Sequence, residues 1–230
     1  MAKAEKAGGR AGAAASGDGT LLSRRAYQRI KEMILMTEIP PLGTIDEQRL
    51  MGELGLGRTP IREALQRLAQ EGFVTIIPYR GSVASGIDMS ELHQIMEMRV
   101  PLEIIAARLA ALRVQDADIR DLETLVGGYD IERLCREQNF VELLRLDEAF
   151  HHAVAALADN RYILKTLDNL RDLTWRHYIL FYRRNPPRPS DSFSNYADII
   201  AALARRDPDL VETRLKQHFK DSMTIFPSRL

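Results

Sequence analysis

No apolar run in this sequence approaches the length needed to span a bilayer. The lysines near its start are followed by no apolar segment of the kind a secretory leader carries, so a cytoplasmic protein is expected. A single cysteine, Cys135, excludes an intrachain disulfide framework and suits a reducing cytosol. It is expected to pack in a helix rather than to react. Net charge is lacking too, since 32 Lys and Arg balance 32 Asp and Glu. On its own that argues weakly against a nucleic-acid partner. The distribution is more permissive. Residues 20–86 hold nine Lys/Arg and seven Asp/Glu, whereas 87–230 hold 20 and 23. A mildly basic front and an acidic back suggest two modules with different partners. At 230 residues, of ordinary apolar and charged content, the chain is long enough for one domain or two with a substantial core.

The stretch from Gly57 to Leu68 organises the front half. Ile61, Ala64, Leu65 and Leu68 recur at helical spacing and predict a buried face. Arg58, Arg62 and Gln66 fall four apart on another face, where long donors suit base edges and phosphates of a DNA major groove. Thr59 and Pro60 make a good helix start, and Gly72 a stop. Upstream, residues 1–19 are Ala/Gly/Ser-rich and read as a disordered tail. Ser23 is expected to cap a first helix over about 23–37, with Tyr27, Ile30 and Ile34 inward, ended by Pro40, Pro41 and Gly43. Thr44 and Glu47 read as a capping box for a short second helix carrying Leu50 and Leu54, with Gly55 at its end. Two short helices joined through Gly55-Leu56-Gly57 form a helix-turn-helix signal. Downstream, 73–77 and 82–84 predict a hairpin wing with Pro78-Tyr79-Arg80-Gly81 at its turn, placing Arg80 and Gly81 to approach the DNA backbone or minor groove. Each piece has a plain alternative, a solvated helix or an exposed hairpin tip; the combination is the specific signal.

From Asp88 onward no strand pattern survives. Ser90 opens a helix to about 112 that Pro101 is expected to kink. Further helices read as about 115–136, 139–158, 160–183, 193–206 and 208–224, with breaks at Gly127-Gly128, Asp159-Asn160, Asn185–Pro189 and Asp207-Pro208. The fold class is therefore mainly α: a tail (1–19), a winged helix-turn-helix domain (20–86) and an all-α bundle of about six helices (87–230).

The Arg58-Thr59-Pro60-Ile61-Arg62-Glu63-Ala64-Leu65 string and the wing resemble the GntR family of bacterial transcription regulators. The helical half looks like the FCD effector domain of the FadR subfamily, through Asp147-x-x-Phe150-His151 and the closing Asp207…His218 spacing. The resemblance implies a homodimeric repressor that binds a pseudo-palindromic double-stranded operator and responds to a small organic acid, sugar acid, amino acid or acyl ligand. By position, Arg58, Thr59, Arg62 and Gly81 match DNA-contacting residues. Gln48 stands where family members often have Arg; with Arg49 adjacent, that phosphate contact has moved or been lost.

The resemblance also implies a divalent ion (Zn, Ni or Mn) held by an Asp and three His. Asp147, His151 and His218 match three of these, while Tyr196 falls at the remaining His position. Two readings stay open. In one, Asp147, His151 and His218 bind a metal. In the other the site is metal-free and Tyr196 bonds the effector. Ordinary hydrogen-bonded core residues are the plain alternative. Arg99 is expected to face the bundle, paired with Glu103 or Asp147 or with an effector carboxylate, and Trp175 and Arg176 to line the same cavity. His152 is expected to face elsewhere. Two other classes are open: a helical metal-dependent hydrolase using Asp147, His151 and His218, which lacks any nucleophile constellation, and a module that merely pairs winged helices.

Overall fold

The computed structural model describes residues 12–188, 193 and 195–224. The chain divides into two compact units, one ending at Gly86 and the other starting at Ile87. Of the tail expected over 1–19, residues 1–11 lie outside the described residues.

The first unit runs α1 (Gly12–Leu35), β1 (Thr44–Ile45), α2 (Glu47–Leu54), α3 (Arg58–Gln70), β2 (Val74–Ile77) and β3 (Gly81–Ala84). Helix α1 starts well before Ser23. The Ser23 hydroxyl donates back to the Gly19 carbonyl at 3.0 Å, a mid-helix habit rather than a cap. Ala26, Ile30, Met33 and Ile34 of α1 are buried, as are Ile61, Ala64, Leu65 and Leu68 of α3, and the two helices pack together. That inner face of α3 follows the predicted periodicity. Truncating one of its leucines to Ala should cost about 2–5 kcal/mol.

The cap of α2 differs from expectation. Asp46, not Thr44, accepts from the backbone N–H groups of Gln48 and Arg49, at 2.8 and 3.1 Å. Thr44 and Ile45 instead form a third strand, paired antiparallel with Val83 and Ser82. The reason is burial: pairing places Ile45 in the core at 4 % exposure and leaves the carboxylate to cap. The sheet order is β1-β3-β2. Gly55 ends α2 at φ 64°, a left-handed position that suits glycine. Pro60 sits in the first turn of α3, where its missing N–H is harmless.

The second unit holds α4 (Met89–Arg113), α5 (Asp116–Gly127), α6 (Ile131–Arg136), α7 (Phe140–Ala156), α8 (Arg161–Tyr182), α9 (Tyr196–Ala204) and α10 (Pro208–Thr224). The segment expected as one helix over 115–136 is two, because Gly128 ends α5 and Asp130 caps α6. Asp88, Asn139, Asn160 and Asp207 each accept from backbone N–H groups at the start of the helix that follows. Helix α4 continues through Pro101 as a single element. Pro101 and Glu97 both lie on its exposed side, so the carbonyl that the proline leaves unbonded faces water. On its inner side α4 packs against α7, α8 and α10. Ala106 of α4 joins Ala155, Ala158 and Leu167 in the core. No described helix is long and apolar enough to cross a membrane.

Candidate functional site

In the first unit the polar face of α3 stands open. Arg58, Thr59, Arg62 and Gln66 are all exposed. Gly57 caps α3 without a side-chain acceptor, so the first N–H groups of the helix are left for an external oxygen. Arg62 Nε donates to Glu47 at 3.1 Å, and Arg49 Nε to Glu53 at 2.6 Å. Both pairs are surface contacts worth little in water, so a phosphate could replace either. Gln48 is exposed beside them. The turn of the wing carries Tyr79, Arg80 and Gly81, all exposed, with Tyr79 at φ 62° and Gly81 at φ 99°. A cleft of about 440 Å³ lies between α3 and the wing, lined by Glu47, Arg62, Gln66, Ile76, Tyr79 and Gly81. The sequence reading singled out Arg80 and Gly81 but not Tyr79, whose full exposure follows from its place at the tip.

In the second unit five helices converge on one buried polar cluster. Asp147 and His151 come from α7, His218 from α10, Tyr196 from α9, Arg99 and Glu103 from α4, and Arg171 and Thr174 from α8. His151 Nε2 lies 3.0 Å from His218 Nε2, and Asp147 Oδ1 lies 3.7 and 3.8 Å from those two atoms. The Tyr196 hydroxyl donates to the same Asp147 oxygen at 2.9 Å. On its far side, His151 Nδ1 is 3.3 Å from Glu103 Oε2. Glu103 Oε1 accepts from Arg171 Nε at 2.9 Å and from Arg99 Nε at 3.3 Å. Arg99 also donates to Thr174 at 2.8 Å, and Arg171 to the His151 carbonyl at 3.0 Å. Arg99 therefore faces the bundle, with Glu103 as its anion.

The electrostatics follow from this packing. Burial pushes the Glu103 carboxyl up, but His151, Arg171 and Arg99 outweigh it and hold it below the usual range. Asp147 is likewise lowered against burial by His151, His218, Arg99 and the Tyr196 hydrogen bond. Burial first, then His151, lowers His218 to about 4, so its imidazole is neutral at physiological pH. Burial and Asp147 raise the Tyr196 phenol well above 10. Glu148 is pushed up to about 7, by burial first and Asp172 second.

This donor set fits a divalent ion. Asp147, His151 and His218 each offer one ligand atom, all within 4.8 Å of one another. A point equidistant from the three lies about 2 Å from each, in the range of zinc–nitrogen and zinc–oxygen bonds. Glu103 behind His151 supplies the carboxylate that metal-bound imidazoles usually carry on their second nitrogen. His218 Nδ1, buried, has no hydrogen-bond partner among the described residues.

A cavity of about 10 Å³ adjoins the cluster, lined among others by Arg99, Asp147, Glu148, Arg171, Trp175 and Tyr178. Trp175 is thus brought to the cluster. Arg176 is buried but is not among the lining residues. His152 faces outward, 2.9 Å from Asp168. The sequence reading did not single out Arg171 or Glu148. The signal for Arg171 is its place in the stripe Leu167, Arg171, Thr174, Tyr178, which recurs at helical spacing and is buried throughout.

Comparison with known proteins gives these two sites a context. Residues 22–83 match the model of the bacterial regulatory proteins of the gntR family, and residues 94–221 match the FCD domain. The HTH-type transcriptional repressor RspR of Escherichia coli is 27% identical over 202 residues, 87% of this chain and 86% of its own. The Nta operon transcriptional regulator of Aminobacter aminovorans is 31% identical over 186 residues, 79% of this chain and 85% of its own. Among solved structures, McbR/YncC of E. coli shares the fold at a TM-score of 0.78 and 20% identity, covering 89% of this chain and 96% of that one. The RspR and Nta proteins are named as transcription regulators, which leaves the hydrolase reading unsupported. The chain belongs to the GntR family of bacterial transcription regulators, with a winged helix-turn-helix followed by a helical FCD effector domain.

Proposed function

We propose that this protein is a homodimeric, cytoplasmic repressor that binds a pseudo-palindromic operator and is controlled by a small carboxylate in its helical half. On the DNA side, Arg58, Thr59 and Arg62 contact base edges and phosphates from the start of α3. Arg49 and Gln48 contact the backbone, and Arg80 and Gly81 bring the wing to the minor groove. The open N-terminus of α3 beside the wing supports this assignment.

On the effector side, Asp147, His151 and His218 hold a divalent ion such as Zn, Ni or Mn, which supplies positive charge for a carboxylate. The carrying observation is the spacing of their ligand atoms, 3.0, 3.7 and 3.8 Å, with Glu103 behind His151. Glu103 orients His151 and fixes Arg99 and Arg171 at the cavity wall. Trp175 Nε1, which has no hydrogen-bond partner among the described residues, adds a donor toward a bound anion. Effector binding shifts the population between dimer states in which the two α3 helices fit or misfit half-sites one turn apart. A metal-free variant of this reading has one observation in its favour: Tyr196 already occupies an Asp147 oxygen that the ion would use.

The test combines metal analysis by mass spectrometry with operator binding. DNA selected from a random library is titrated with purified protein, with and without Zn, Ni or Mn and a panel of small carboxylates. About one ion per chain, lost in His151→Ala, together with carboxylate-dependent release of DNA, is the expected result. No ion but carboxylate-dependent release would favour Tyr196 and Arg99 as direct contacts. Indifference of both stability and DNA binding to every small molecule would reduce the helical half to a pairing module.

A further inference from the structure

We propose that Tyr79 is a DNA-binding residue whose ring packs on the deoxyribose of the strand that passes between α3 and the wing. The assignment rests on the operator-binding reading above and adds a residue to it.

The turn of the wing has a shape that suits a different residue. The Arg80 N–H donates to the Ile77 carbonyl at 3.0 Å, closing a four-residue turn over Ile77, Pro78, Tyr79 and Arg80. Proline fixes a negative φ at the second position, and Tyr79 follows at φ 62°. That is the type II pattern, which calls for glycine or asparagine at the third position. A tyrosine there costs conformational energy. Nothing inside the unit offsets the cost, because the ring is fully exposed. Backbone strain of this kind concentrates where a side chain is aimed at a ligand.

The surroundings of the ring identify the ligand surface. Tyr79 lines the cleft of about 440 Å³ between α3 and the wing. On the wing side the lining is apolar, with Tyr79 joined by Pro78 and by Ile76, which is 47% exposed. On the helical side it is polar and charged, with Arg62, Gln66 and Glu47. When α3 lies in a major groove and the wing at the adjoining minor groove, one sugar–phosphate strand separates the two and runs through this cleft. A strand is two-sided in the same way. Its phosphate oxygens are charged, and the faces of its deoxyriboses are apolar. Arg62 meets the phosphates, while Tyr79 and Ile76 meet the sugars. Packing on a sugar releases no counterion and reads no base. It therefore adds affinity without steepening the salt dependence, unlike an arginine on a phosphate.

The test uses full-length protein and a duplex that the wild type has enriched from a random library. Fluorescence anisotropy is measured across a salt series for wild type, Tyr79→Ala, Tyr79→Asn and Tyr79→Phe, alongside thermal unfolding. Tyr79→Ala and Tyr79→Asn should each weaken binding by about tenfold, with the slope of log affinity against log salt unchanged. Tyr79→Phe, which keeps the ring, should recover the wild-type affinity to within about twofold. In Tyr79→Asn the melting temperature should rise while affinity falls, a combination that a merely structural ring would not give. Full affinity in Tyr79→Ala and Tyr79→Asn would overturn the contact and leave operator binding intact. A lowered salt slope in Tyr79→Ala, or an equal loss in Tyr79→Phe, would also overturn it, by showing that the hydroxyl bonds a phosphate. A wild type that enriches no duplex would overturn the operator reading itself and the Tyr79 contact with it.

Discussion

Tyr196 donates its hydroxyl proton to the one Asp147 oxygen that also faces both His151 and His218. The phenol thus occupies a lone pair that an ion would share. Burial and the neighbouring carboxylate keep that phenol protonated. Tyr196→His should therefore tighten Zn or Ni binding by at least roughly tenfold, since it exchanges a competing donor for an imidazole ligand. Competition with a chromophoric chelator measures it. Equal affinities in the two proteins would show that position 196 lies outside the coordination sphere.

Glu103 is the anion on which Arg99, Arg171 and His151 converge, and its side chain is 2% exposed. Glu103→Ala leaves the buried Arg99 without its anion and Arg171 with Asp168 alone, 3.0 Å away, and should destabilise the protein by about 3–5 kcal/mol. Because the folded state lowers the Glu103 pKa, its contribution is present above the unfolded value of about 4.3 and fades as pH falls through the folded one. Urea unfolding at pH 7 and in acid would check both statements. A variant within about 1 kcal/mol of wild type at pH 7 would mean that Arg99 finds another anion and that Asp168 suffices for Arg171.

On α3, Arg58 and Arg62 differ in what they must give up to bind DNA. Arg62 carries an ion pair with Glu47, whereas the described residues show none for Arg58. Arg58→Ala and Arg62→Ala should each weaken operator binding by about 1–3 kcal/mol. Glu47→Ala should strengthen it, by freeing Arg62 and removing a negative charge from the cleft. Fluorescence anisotropy across a salt series separates the roles, because losing a phosphate contact lowers the salt slope by about one. Unchanged affinity in both arginine variants would remove α3 from the interface.

Most of the architecture was legible because apolar spacing speaks directly to helices. Ile61, Ala64, Leu65 and Leu68 predicted the inner face of α3, and the Asp207-Pro208 break marked the start of α10. What the sequence hid was set by long-range packing. Thr44 read as the cap of α2, whereas Asp46 takes that role once Ile45 pairs with Ser82 across the sheet. Asp147 and His151 were visible as neighbours one turn apart on α7. Glu103 and Arg171 were not, since their meeting with His151 depends on how α4 and α8 pack, a long-range fact that no local spacing carries.

Tyr79 adopts φ 62° at the tip of the wing, a region disfavoured for a side chain of its size, and its ring is fully exposed. No packing offsets that conformation. Asn tolerates it far better, so Tyr79→Asn should raise stability by on the order of 1 kcal/mol. Thermal unfolding of the pair gives the answer, and a lower melting temperature in Tyr79→Asn would show that the ring contributes contacts to the fold.

Glu148 lies beside Asp147 at the wall of the cavity, and burial and then Asp172 push its carboxyl up to about 7, against the pull of Arg171 and Arg99. Its folded pKa thus exceeds the ordinary value of 4.5. Between those two values the folded state holds more protons than the unfolded one, so stability falls as pH rises through the window. The loss saturates above the folded value, at on the order of 3 kcal/mol. Glu148→Gln removes the titrating group while keeping its shape, and its stability relative to wild type should grow from pH 4.5 to pH 7.5. Metal-stripped protein is the right sample, because a bound ion would add its own charge to the balance. Other groups titrate equally in both proteins, so the difference between the two stability curves isolates Glu148. Parallel curves would place its carboxyl in contact with water and open the cavity wall to solvent.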